Sequence, residues 1–160
     1  MSSATLKSRT AWHDRFRTPA LDDLMEPFSR QLCGLIESTR QRLVAFPNIS
    51  EELSWQGIPW RWTLVYRWAG QPERAWAYVV LDPSRVRLTL PMSTELIAKL
   101  PAKKLSRPTR DGIVQASEVA GVHWAQWELV NKPQLDELVG IVEAKHLLLT
   151  AASSSAPSGT

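Results

Sequence analysis

The sequence predicts an α+β fold: an antiparallel sheet of about five to six strands with two long helices packed on one face. Three observations lead there. Apolar residues recur every three or four positions from Leu21 to Phe46 and again from Leu135 to Leu149, the spacing of one face of an amphipathic helix. From Glu51 to Pro91 the recurrence drops to every second residue, as along a half-buried strand. Turn-forming residues interrupt that region at short intervals, so successive strands are expected to pair as antiparallel hairpins. Helices and strands are thus segregated along the chain rather than alternating, unlike a parallel α/β sheet.

Residues 1–17 read as a flexible basic arm, with Lys7, Arg9, Arg15 and Arg17 against the single acid Asp14. Trp12 and Phe16 are four apart, the spacing of one helical turn. Thr18 and Pro19 look like the N-cap and first position of a helix, and Asp22, Asp23 and Glu26 suit the positive end of its dipole. That helix is expected to continue to Phe46, stopped by Pro47. Strands are predicted near 51–56, 60–68, 75–82 and 85–90. Gly57-Ile58-Pro59, the AGQPE stretch at 69–73 and Asp82-Pro83-Ser84 supply the breaks. Ser93 caps a helix of about two turns ending at Pro101. A basic loop over 101–111 follows, then strands at 112–118 and 122–130 joined around Ala120-Gly121. The final helix opens at Asn131 or Lys132 with Pro133 and runs to about Leu149. The low-complexity tail TAASSSAPSGT is expected to be disordered.

The bulk numbers set limits. A chain of 160 residues suits one domain, placed at 18–149, with a real core. No apolar run approaches the ~20 residues of a membrane span, and MSSATLKSRTAWHDRFR lacks a leader's apolar segment. A cytoplasmic location without a membrane partner is the expectation. One cysteine, Cys33, excludes an internal disulfide and reads as a small half-buried hydrophobe. A net charge of +3 is too mild to define a nucleic-acid protein by itself.

Eight tryptophans are the compositional surprise, and four lie in WQGIPWRWTLVYRW, residues 55–68. Parity along a strand starting at residue 60 puts Trp60, Trp62, Leu64, Tyr66 and Trp68 on one face and Arg61, Thr63, Val65 and Arg67 on the other. The ring-bearing face is the natural partner for the helix stripes, since each buried ring removes ~150–250 Å² from water. Trp55, Trp60 and Trp124, with His123 and Gln126 beside the last, are the candidate lining of an aromatic cleft at the sheet edge. The other face gathers Arg61, Arg67, Arg85 and Arg87, and the loop adds Lys103, Lys104 and Arg107. Together these are a candidate basic patch for nucleic acid or an acidic partner. His146, near the expected end of the last helix, suits the dipole when charged.

Catalytic and metal signatures are missing. There is no glycine-rich phosphate loop, C-x-x-C, H-E-x-x-H or G-x-S-x-G, and His13, His123 and His146 have no ligand spacing. No cofactor, metal site or catalytic residue is predicted.

Glu52, Gly57 and Pro59 occupy the places of an E-x-x-x-x-G-x-P strand that follows a helix. With the meander containing AYVV at 77–80 and VRLTL at 86–90, the chain resembles the YdhG-like group of small bacterial domains of unknown function, over roughly residues 20–148. That group is similar in layout to frataxin, and the resemblance implies an iron carrier as one alternative. The chain departs from the group in its basic loop at 101–110, its crowded tryptophans and its lack of a dense acidic ridge on the first helix. The favoured expectation is a non-enzymatic binding domain with an aromatic-lined cleft for a small apolar ligand or a protein partner. Contact with nucleic acid or acidic partners through the arginine face and the 99–110 loop is the other alternative.

Overall fold

The structure is a computed structural model and describes residues 11–155. Two helices, α1 (Leu21–Met25) and α2 (Arg30–Val44), lead to strands β1 (Ile49–Trp55), β2 (Trp62–Trp68), β3 (Ala77–Asp82) and β4 (Arg85–Ser93). Next come α3 (Thr94–Lys99), a 3-10 turn at Ala102–Lys104, α4 (Arg107–Val114), β5 (Ser117–Val119), β6 (Val122–Glu128) and α5 (Lys132–Ser155). All strand pairs are antiparallel, in the order β1-β2-β3-β4-β6-β5. The predicted α+β class and the six strands are therefore what is seen.

The helices pack on one face. Trp62, Leu64, Tyr66 and Trp68 of β2, Val79 and Leu81 of β3, and Leu88 and Leu90 of β4 form one core with Leu35, Ile36 and Leu43 of α2 and Leu135, Leu138 and Val142 of α5. Period-two and period-3.6 stripes meet there, each burying what the other exposes.

Several expected boundaries move, each for a local reason. The single helix over 19–46 is two, because Pro27 has no N–H to donate and its ring collides with the preceding turn. The second starts afresh at Ser29, whose hydroxyl accepts from the Leu32 N–H at 3.1 Å. Residues 107–114 are helical, although the sequence predicts a strand from 112. The β-branched pair Ile113-Val114 favours a strand locally, but Thr109 O receives the Trp127 indole N–H at 2.9 Å and draws this segment onto β6. α5 runs to Ser155, past the expected end at Leu149, so residues 150–155 of the expected disordered tail are helical, since Ala151 and Ala152 are strong helix formers; residues 156–160 lie outside the described residues. Within the arm, Trp12 is buried and Asp14 O accepts from the Trp62 indole at 2.8 Å, so this part docks on the body; residues 1–10 lie outside the described residues. Among the described residues no helix is long and apolar enough to cross a membrane.

A polar clamp ties α2 to the sheet. Glu51 stands opposite Tyr66 across β1–β2 and accepts the Tyr66 hydroxyl at 2.6 Å. Arg40 of α2 holds the same carboxylate with a fork of 2.7 and 3.1 Å. Burial pushes the Glu51 carboxyl up, but the Arg40 and Tyr66 hydrogen bonds outweigh it and hold it below the usual range. Tyr66→Phe removes a donor to a charged acceptor and is expected to cost about 2 kcal/mol. A urea titration checks this: the midpoint should fall with an unchanged slope.

Candidate functional site

The residues expected to line a cleft divide between the two faces of the sheet. Trp124 and Gln126 face away from the helices, opposite Pro91 and Thr89 of β4. Trp60 joins them from the β1–β2 turn. Its ring lies 5.0 Å from that of Tyr78 and 6.3 Å from that of Trp124, and Tyr78 and Trp124 are 6.0 Å apart. Beneath this trio Thr63, Val65, Val80 and Thr89 are buried, although they lie outside the core cluster that the described helices form with the other face. Trp55 is on the helix side, opposite Trp62 with ring centroids 5.7 Å apart, and His123 is also on that side, opposite Met92, its Nε2 3.0 Å from Thr94 Oγ1. Trp60, Trp124 and Gln126 are brought together; Trp55 and His123 are not.

The parity argument fails at Trp60, because β2 begins at Trp62. Gly57 at φ +77° and Arg61 at φ +57° turn the chain before it. Rings and arginines thus share the open face, where parity predicts separation. Most of its arginines are also paired: Arg67 with Glu52 at 2.8 Å, Arg87 with Asp82 at 3.6 Å and Arg85 with Glu128 at 3.8 Å. Arg61 lies over the Trp12 ring and Arg107 stands 4.0 Å from Asp111. Lys103 and Lys104 sit exposed on the 3-10 turn. Of the seven basic residues, Arg67, Arg85, Arg87 and Arg107 thus each stand beside a carboxylate.

A second place has the geometry of a small-molecule site. A cavity of about 310 Å³ lies on the helix side of the sheet, at the ends of β3 and β4. Trp68, Trp76, Met92, Leu96 and Leu149 supply its apolar wall, and Arg74 and Ser93 are exposed residues at its edge. Among the described residues no aspartate or glutamate lines it. Lys145 of α5 does, and is 8% exposed. The β3–β4 register ends at Tyr78–Thr89. Two positions beyond, the Lys145 Nζ inserts between the strands and donates to Trp76 O at 2.7 Å and Pro91 O at 2.5 Å. These are its only partners among the described residues, and none of them is a carboxylate. Burial lowers the Lys145 pKa to about 7.

His146 is the neighbour of Lys145 but faces the rings of Phe46, Trp68 and Trp76, at 5.5, 5.9 and 5.6 Å. Its Nδ1 has no hydrogen-bond partner among the described residues, and burial lowers its pKa. It is a core imidazole in mid-helix rather than a cation at a helix end. The Cys33 thiol, directed at Met25 O and Phe28 O, is pushed up by burial and by Glu37, which disfavours a reactive thiolate. Among the described residues no three His, Cys, Asp or Glu side chains are grouped to hold a metal ion.

The fold is thus a two-layer α+β arrangement, one helical layer on one antiparallel sheet. No protein-family model matches the chain, and no curated protein matches its sequence.

Proposed function

We propose that this protein is a non-enzymatic binding domain that takes a small, largely apolar ligand into the cavity between the ends of β3 and β4 and the helices α3 and α5. One observation carries the reading. The cavity joins two indole-bearing residues and aliphatic side chains to a single buried amine, the combination of apolar wall and few polar anchors typical of ligand sites. At about 310 Å³ it is near the lower end of the ~300–1,000 Å³ range of such sites. The aromatic lining expected from the sequence is assigned here to Trp68 and Trp76 instead of Trp55, Trp60 and Trp124.

An NMR titration with octanamide, an uncharged probe of suitable length, tests this. The indole resonances of Trp68 and Trp76 and the amides of Met92, Leu96 and Leu148 are expected to shift, with those of Trp60 and Trp124 unchanged. Shifts confined to Trp60, Tyr78 and Trp124 move the site to the open face. No shift at millimolar probe removes the reading.

A further inference from the structure

We propose that the ligand of this cavity is an apolar monocarboxylate whose carboxylate accepts a hydrogen bond from the Lys145 ammonium; this rests on the reading of the cavity as the ligand site. An ammonium has three donors. Two are used by the carbonyls of Trp76 and Pro91, and among the described residues nothing accepts the third. Both carbonyls belong to residues of the cavity wall, which fixes the amine at that wall. Backbone carbonyls satisfy hydrogen bonds but bring no counter-charge, and a buried ion without one is costly. A bound carboxylate supplies the missing acceptor and the missing charge together.

The rest of the wall narrows the class. Besides Lys145, its polar side chains are Gln71, Arg74 and Ser93. Arg74 is exposed and forms no ion pair among the described residues, so it adds a second positive charge on the approach. A cationic ligand is repelled by both. A polyanion such as a phosphate needs more buried positive charge than one lysine offers; the Trp76 indole N–H, buried and without an acceptor among the described residues, adds a donor but no charge, and the apolar wall calls for a hydrocarbon tail. At ~30 Å³ for each water-sized group, the volume holds about ten non-hydrogen atoms, the size of octanoate.

Proton linkage gives the proposal a signature. Burial holds the Lys145 pKa near neutrality, and a bound carboxylate raises it, so above pH ~7 binding takes up a proton. The charged groups on the packed elements leave this step to Lys145. Glu95 and Lys99 of α3 pair with each other at 3.3 Å, Glu143 of α5 and Glu73 beside Arg74 are exposed, His123 of β6 bonds Thr94, and His146 of α5, against Trp68 and Trp76, has its pKa lowered by burial and is neutral at pH about 8.

Isothermal calorimetry on the full chain with octanoate and octanamide decides the matter. At pH about 8 octanoate is expected to bind at least about tenfold more tightly than octanamide, a difference of ~1.4 kcal/mol. Its heat in buffers of different ionisation enthalpy should report uptake approaching one proton, falling towards none at pH about 6. Equal affinity for the two probes, or no proton uptake with octanoate, overturns the carboxylate assignment and leaves the cavity reading standing. Binding of neither overturns the cavity reading itself. Lys145→Met should reduce octanoate affinity to that of octanamide, and unchanged affinity in the folded variant also overturns the assignment. Should the variant not fold, the proton uptake of the unaltered protein decides alone.

Discussion

Raising the pH from about 7 to about 9.5 is expected to stabilise the protein, by on the order of 3 kcal/mol at the upper limit. The reason is Lys145. Its pKa in the unfolded chain is near the ordinary 10.5, and burial lowers it to about 7 in the folded protein. Between those values the unfolded chain holds a proton that the folded chain has released. Increasing pH therefore favours the folded state, with a slope approaching ~1.4 kcal/mol per pH unit. The gain is complete above the unfolded pKa and is lost as pH falls through the folded one. Cys33, whose thiol burial and Glu37 hold above the ordinary 9.0, begins to oppose the gain as it ionises in the unfolded chain, and Tyr66 sets the upper bound of the useful window. Burial, followed by its hydrogen bond to Glu51, raises its pKa well above the ordinary value of 10, so ionisation of tyrosine in the unfolded chain erodes stability at still higher pH. Urea unfolding at several pH values gives the slope, and Lys145→Met is the control. That variant loses the hydrogen bonds to Trp76 O and Pro91 O but also the buried charge, and its stability should be nearly flat over the same range. An unaltered slope in Lys145→Met would assign the effect to other groups.

Gly112→Ala is expected to lower stability by about 2–3 kcal/mol, although the exchange favours a helix by up to ~1 kcal/mol where space permits. A Cβ at this position in α4 would lie 2.1 Å from Trp127 Nε1 and 2.5 Å from its Cδ1. The indole is not free to retreat. It is 4% exposed and its N–H is engaged by Thr109 O, from the same helix. Either α4 moves off β6 or the ring turns and abandons that hydrogen bond, which adds ~1 kcal/mol. A chain of this size should melt about 5–10 °C lower. Gly34→Ala supplies the contrast. It too lies in a helix, α2, but nothing stands within 4 Å of the place its methyl group would take, so that variant should gain stability by up to about 1 kcal/mol. Thermal melts followed by circular dichroism compare them; equal melting temperatures would remove the packing argument.

The fold was largely legible because periodicity reports burial directly. Leu64, Tyr66 and Trp68 alternate along β2 and all reach the core. What escaped was decided by backbone conformations or distant partners. Positive φ angles at Gly57 and Arg61 carry Trp60 to the opposite face, and counting residues in twos does not register a turn of that kind. Residues 107–114 became a helix through the docking of Trp127, which lies 15 residues after Gly112.

The cavity was only partly legible. Lys145 follows Leu138, Ile141 and Val142 at helical spacing, so it is a charged residue on the apolar stripe of α5, and that irregularity is visible in the sequence. Its acceptors are not, because carbonyls carry no residue identity. Trp76 and Pro91 meet only once the β3–β4 register is fixed.

The trio of Trp60, Tyr78 and Trp124 has a consequence for how the molecule keeps water out. On one side the middle strands are shielded by a full layer of helices; on the other the shield is a few side chains deep, and one of its three rings hangs from a surface turn. Among the described residues, the cover over the middle strands on that face is therefore a ring cluster and not a helix. Damage to a peripheral turn at residue 60 would be felt first by Thr63, Val80 and Thr89, in the middle strands.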